Sequence, residues 1–238
     1  MPAQRDSRII VLHLTKYGDS SLVVHALDAE RGRTGFFLRG AGKGKVALNH
    51  FQSLGILDIQ TVSGKGEMEY IKEYESAHQL AGIKTNPYKS AIAMFVGELL
   101  YRCIGDGAVD AEMFSFLENE ILRLEHEEGS IANYHLCFMV RLCGMLGFRP
   151  KDNWSPATPL FLPAAAEFIP FSDYISTFSA EESLLLHRIL SLPVEEAMQL
   201  KLNREQRQAF AQKMAEYLSC HLSINLKLKS LAVLHDIF

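Results

Sequence analysis

The spacing of apolar residues changes once along this chain, near Asn86-Pro87, and the change separates a strand-rich stretch from a helical one. Upstream, Arg8 to Lys16 is rich in β-branched residues and partly alternates, the pattern of a half-buried strand. Tyr17-Gly-Asp-Ser20 reads as a turn and Leu22 to Leu27 as a second strand. A loop at Asp28–Gly32 leads to a third strand, Arg33 to Arg39, after which glycines 40, 42 and 44 interrupt regular structure. Phe51 to Val62 and Glu67 to Ala77 are two further strands joined at Ser63-Gly-Lys-Gly66. Five short antiparallel strands in so few residues favour a small closed barrel, since closure leaves no exposed sheet edge. The OB-fold is the commonest barrel of that size.

Downstream the period is helical. Asn86-Pro87 opens a helix whose apolar face is Ile92, Phe95, Val96, Leu99, Leu100 and Cys103. Asp110 is the expected N-cap of the next, and Gly129-Ser130 the expected start of a third. Prolines at 150, 156, 159, 163 and 170 then break the pattern, giving an irregular insertion or a short β excursion. Helix resumes at Ser179-Ala-Glu-Glu182, which has capping-box spacing, and a long last helix begins near Asn203. The expected class is α+β and multi-domain. Residues 1–80 form a five-stranded OB-fold barrel, and residues 81–238 an α-helical domain with an irregular proline-rich insertion at 147–178.

Composition excludes several classes. With 48% hydrophobic and 22% charged residues the chain can build a sizeable core, and no apolar run is long enough to span a membrane. The polar N-terminus has no signal-peptide character, and the cysteines at 103, 137, 143 and 220 lack paired spacing. The expectation is a cytoplasmic protein with reduced, buried thiols. His126, His135, Cys137 and Cys143 lie close in sequence but show no metal-ligand spacing, so no metal is expected. No local arrangement supports a nucleophile with its base, and no enzymatic activity or cofactor is expected.

The net charge of −4 argues against a generic nucleic-acid binder, but the charge is unevenly spread. From Arg31 through Leu57 there are five basic residues and no acidic one. At the centre lies Arg39-Gly-Ala-Gly-Lys43-Gly-Lys45. Gly40 stands one residue too close to Gly44-Lys45 for a Walker A loop, and Val46 replaces the hydroxyl that would hold magnesium. Nucleotide hydrolysis is therefore not expected; contact with phosphates through side chains and backbone N–H groups is. Arg33, Arg39, Lys43 and Lys45 are the candidate DNA contacts, with Lys227 and Lys229 as a possible extension. Alternation sends Phe36 and Phe37 to opposite faces, so one is core and the other is available to stack bases. The sequence does not say which. Phe37 joins Tyr17 in the candidate set.

In this order the motifs resemble the RecO family of bacterial recombination mediators. Leu14-Thr-Lys-Tyr17-Gly-Asp-Ser20 is similar to the family's Y-G-[ED]-x-[DS] element, and Arg39-Gly-Ala-Gly-Lys43 to its K-G-x-[RK] segment. Arg141 to Pro150 resembles the L-L-x-x-L-G-x-x-P helix end, and Leu226-Lys-Leu-Lys-Ser230 the terminal L-K-S motif. The resemblance implies an OB-fold followed by a helical domain. It also implies binding of single- and double-stranded DNA, annealing of complementary strands, and recombinase loading with RecR and the C-terminal tail of single-stranded-DNA-binding protein. Many members carry a four-cysteine zinc site in the insertion, whereas residues 148–175 here contain no cysteine. The competing expectation is an OB-fold adaptor that binds protein partners without physiological DNA binding.

Overall fold

The computed structural model describes residues 4–40, 48–63, 68–107, 111–171, 173 and 177–238, which form two compact units, Met1–His126 and Glu127–Phe238. In the first unit, β1 (Gln4–Tyr17), β2 (Ser21–Asp28), β3 (Gly32–Arg39), β4 (Ile56–Val62) and β5 (Glu69–Ser76) close into a barrel in the order β1-β2-β3-β5-β4. Together with the helices that follow, this makes the protein α+β, with the expected OB-fold barrel at its N-terminal end.

The long β1 is shared. Its first half pairs with β4 and its second half with β2, and the strand bends at a register shift between Val11 and His13. All neighbours are antiparallel except β3 and β5, which among the described residues pair in parallel at Phe36↔Glu69 and Phe37↔Tyr70. The interior is filled by Ile9, Val11, Val24, Phe36, Leu38, Phe51, Leu57 and Ile59. Removing these side chains from water is the main force closing the barrel.

A buried clasp reinforces the parallel seam. The carboxylate of Asp28, fully buried, accepts from Ser7 Oγ (2.7 Å), the N–H groups of Glu30 (2.9 Å) and Arg31 (3.0 Å), and the Arg31 guanidinium. Arg31 also reaches Glu69 at the start of β5 (3.1 Å), and Glu69 accepts from the Thr61 hydroxyl (2.7 Å). Burial pushes the Asp28 carboxyl up. The hydrogen bonds from Ser7, Glu30 and Arg31 outweigh it and hold the group below its ordinary range.

The expected fourth strand begins late. Leu48–His50 is a 3-10 turn, and residues 51–54 are turn and bend, with β4 starting only at Ile56. Leu54 has φ 63°, and a Cβ on Gly55 would lie 2.6 Å from the His50 carbonyl oxygen, so the chain must turn here. The turn drives Phe51 into the barrel core.

Three helices complete this unit: α1 (Ala81–Thr85), α2 (Pro87–Cys103) and α3 (Ala111–His126). Asn86 caps α2 by accepting from the N–H groups of Tyr88 and Lys89, and all six residues of the expected apolar face are buried. The short α1 has no sequence signal strong enough to show; the Glu125 carboxylate holds its first N–H groups, at Gly82 (2.6 Å) and Ile83 (2.8 Å). Gly97 lets α2 approach β1 at its bend, since a Cβ there would lie 3.0 Å from the Leu12 carbonyl oxygen. The expected Asp110 cap lies outside the described residues.

In the second unit, α4 (Tyr134–Met145) starts later than Gly129-Ser130. Asn133 precedes it, and its side-chain amide donates to the carbonyls of Met198 and Leu200, tying the turn down from a distance. The insertion contains a small hairpin, β6 (Leu160–Leu162) with β7 (Glu167–Ile169). Aromatic packing anchors it: Phe161 meets Phe168, Phe178 and Tyr217 edge-on at 5.2–5.5 Å between ring centres. Then come α5 (Ala180–Ser191), α6 (Val194–Met198), α7 (Arg204–Leu222) and α8 (Ser230–Ile237), with complete capping boxes at Ser179/Glu182 and Asn203/Gln206. Among the described residues, no helix is long and apolar enough to cross a membrane.

Candidate nucleic-acid interface

The pleat sets which barrel residues face outward. On β3 these are Arg33, Gly35, Phe37 and Arg39, while Phe36 is fully buried in the core. Register places Val23 of β2 beside Phe37, and Tyr70 of β5 on its other side. Tyr17, at the end of β1, is 59% exposed. Its ring meets Phe37 edge-on at 4.9 Å, and Phe37 lies nearly parallel to Tyr70 at 5.3 Å. The Arg39 guanidinium, on an exposed residue, sits 3.7 Å above the centre of the Tyr70 ring. Three aromatic rings and one cation thus form a ladder across the outer face.

Such a ladder offers flat apolar faces to flat apolar ligands and a positive charge at one end. Unpaired bases with their phosphate backbone match it in shape and sign. The site residues expected from sequence divide as follows. Tyr17, Phe37 and Arg39 lie together in the ladder. Lys43 and Lys45 lie outside the described residues.

Arg33 points outward at the other end of β3, and its cation is already engaged. It forms an ion pair with Asp106 (2.8 Å), donates to the Tyr101 carbonyl (2.7 Å) and lies over the Tyr101 ring. Lys227 and Lys229 belong to the second unit. There, exposed and alternating with half-buried Leu226 and Leu228, they border a groove of about 270 Å³ beside Gln212 and Ala215. Tyr70 was missed. In sequence it is one aromatic residue in a charged strand, and only the parallel β3–β5 pairing brings it to Phe37.

A second candidate surface occurs within the second unit. Leu184, Leu185, Leu200 and Leu202 line an apolar cleft of about 280 Å³, whose lining also carries Arg188 and Lys201, both exposed, and the carboxylates of Glu181 and Glu182.

The residues present do not suit a zinc site. Cys137 and Cys143 are buried in α4 and form no disulfide, Cys220 is exposed, and burial pushes the Cys103 thiol up to about 12. Among the described residues, no three His, Cys, Asp or Glu side chains converge as a metal would require.

Comparison with known proteins agrees with this architecture. The family model described as Recombination protein O N terminal matches residues 1–80, and Recombination protein O C terminal matches residues 84–157. The chain is 30% identical over 236 residues to the DNA repair protein RecO of Christiangramia forsetii, covering 98% of each chain. It is 31% identical over 240 residues to that of Flavobacterium johnsoniae, covering 99% of each. A further match, 31% over 234 residues, is to the protein of that name from Bacteroides fragilis strain YCH46, covering 96% of this chain and 97% of the relative.

Proposed function

Because the chain belongs to the RecO family of DNA repair proteins, we propose that it is a non-enzymatic recombination mediator that binds DNA on the outer face of its barrel and anneals complementary strands. The observation that carries this reading is the ladder Tyr17–Phe37–Tyr70 with Arg39 stacked at its end. Bases lie on the rings while Arg39, with Lys43 and Lys45 of the adjoining segment, follows the phosphates. Annealing needs no catalytic group. Cations that neutralise two backbones lower their mutual repulsion and let the strands meet.

The second unit takes the protein partners in this reading, RecR and the acidic tail of single-stranded-DNA-binding protein. Shape supports the cleft near Leu185 as the tail's site: an apolar side chain fills the floor and the tail's carboxylates meet Arg188 and Lys201, with Glu181 and Glu182 of the same lining opposing part of that attraction.

The test is a salt titration of oligo-dT affinity. For Arg39/Lys43/Lys45→Ala, each lost phosphate contact reduces the log–log slope by about 0.7. Phe37→Ala weakens binding by about 1–3 kcal/mol with the slope unchanged, because a stacked ring carries no charge. If both variants bind as wild type does, the barrel face is not the DNA site. If the full chain binds no oligonucleotide at low salt yet holds a protein partner, the adaptor reading replaces this one.

A further inference from the structure

The outward row does not stop at the ladder. Further along β1 from Tyr17, on the same face, stand exposed Thr15 and His13, and His25 lies opposite His13 on β2. The two imidazoles are 6.0 Å apart at their centres and close to parallel. Both touch the Tyr101 ring of α2, at 5.0 Å and 5.1 Å, and Arg33 lies over the same ring. Four residue steps of strand lead from His13 to Tyr17, about 13 Å, which is inside the reach of the few nucleotides an OB barrel holds.

We propose that His13 and His25 form a phosphate subsite at the far end of this track, one that takes up a proton when a DNA strand binds. The proposal rests on reading the barrel face as a single-strand track.

Its chemistry follows from the groups around the pair. In the free protein the second charge is opposed: burial holds His25 below its ordinary value, and His13 and Arg33 add to the effect. Asp106, paired with Arg33, works in the other direction. A phosphate set against the nitrogen-bearing edges of the two imidazoles reverses this balance. One ring takes a proton from solvent, and its N–H donates to a phosphate oxygen. The contact already present tolerates the change: the Thr15 hydroxyl lies 3.1 Å from His25 Nε2 and can either donate to a bare nitrogen or accept from a protonated one. Charging His25 therefore breaks no hydrogen bond.

The sign is definite. A group whose proton affinity is depressed when free and raised when bound makes binding tighter as pH falls. Fluorescence anisotropy of labelled oligo-dT with the full chain, at constant ionic strength, should show affinity rising about tenfold from pH 8 to pH 6. The salt slope should be steeper at pH 6 by about 0.7, one additional phosphate contact. In His13→Gln/His25→Gln both pH effects should disappear, leaving one affinity and one salt slope from pH 8 to pH 6. Phe37→Ala should bind more weakly at both values and keep the ratio. Circular dichroism at each pH confirms that the variants are folded.

A wild-type affinity independent of pH, or a double variant that keeps the dependence, overturns the subsite and leaves the ladder standing. No binding at either pH removes the track itself, and the subsite with it. Displacement of oligo-dT by inorganic phosphate, equal in wild type and double variant, also overturns the assignment, because phosphate is then competing elsewhere.

Discussion

Replacing Asp28 by alanine should open the barrel at its parallel seam. The side chain is fully buried and accepts from Ser7 Oγ, two backbone N–H groups and the Arg31 guanidinium. Without it, Arg31 keeps Glu69 and the Phe36 ring, and the turn at residues 28–31 loses the acceptor that shapes it. Breaking a buried charge pair by deleting one partner costs about 3–5 kcal/mol. In a chain of this size each kcal/mol lowers the melting point by about 2–4 °C, so a fall of about 10 °C is expected.

The pH dependence is a sharper check. The Asp28 carboxyl sits below its ordinary value, so its contribution is complete above the unfolded pKa of about 3.9 and is lost as pH falls through the native one. Urea unfolding of wild type and variant, followed by far-ultraviolet circular dichroism, should therefore differ most at neutral pH and converge in acid. A loss at pH 7 below about 1 kcal/mol, typical of exposed ion pairs, would refute the reasoning. So would a difference that stays constant as the pH is lowered far below the unfolded pKa of about 3.9.

Two further substitutions test the packing. Gly55→Ala puts a methyl group against the His50 carbonyl, so the turn that seats Phe51 must move; a loss of about 1–3 kcal/mol in chemical denaturation is expected. Phe161→Ala removes the ring at the centre of the aromatic cluster under the hairpin; it should cost about 3–5 kcal/mol and collapse the near-ultraviolet dichroism of that cluster.

What could be read from the chain depended on how local the cause was. Asn86, Ser179 and Asn203 cap helices through neighbours two or three residues away, and all three positions were visible in sequence. The first three strands were visible because apolar runs, rich in β-branched residues in the first, are bounded by turn and glycine signals close by in sequence. The start of α4 was not, since Asn133 is held by carbonyls at 198 and 200, far along the chain. Nor was the turn before β4, where a crowded carbonyl at His50 outweighs the apolar pattern around Phe51. The same division runs through the candidate site. Arg39 and Phe37 stand on one strand two residues apart, a relation that alternation gives directly. Tyr70 joins them only through barrel closure, and Arg33 meets Asp106 only because α2 returns to the barrel.

The closing seam also makes the barrel mechanically uneven. Among the described residues, β1 and β2 share eight paired positions and β4 and β5 share six, but β3 and β5 share two. A cylinder with one thin weld gives way along that weld. Phe37 and Tyr70 stand on opposite lips of it, and Arg39 reaches across from the first lip to the second. Anything flat that rests on both rings acts as a patch over the joint, so the stretch of surface best shaped to hold a ligand is also the stretch whose strength that ligand would increase.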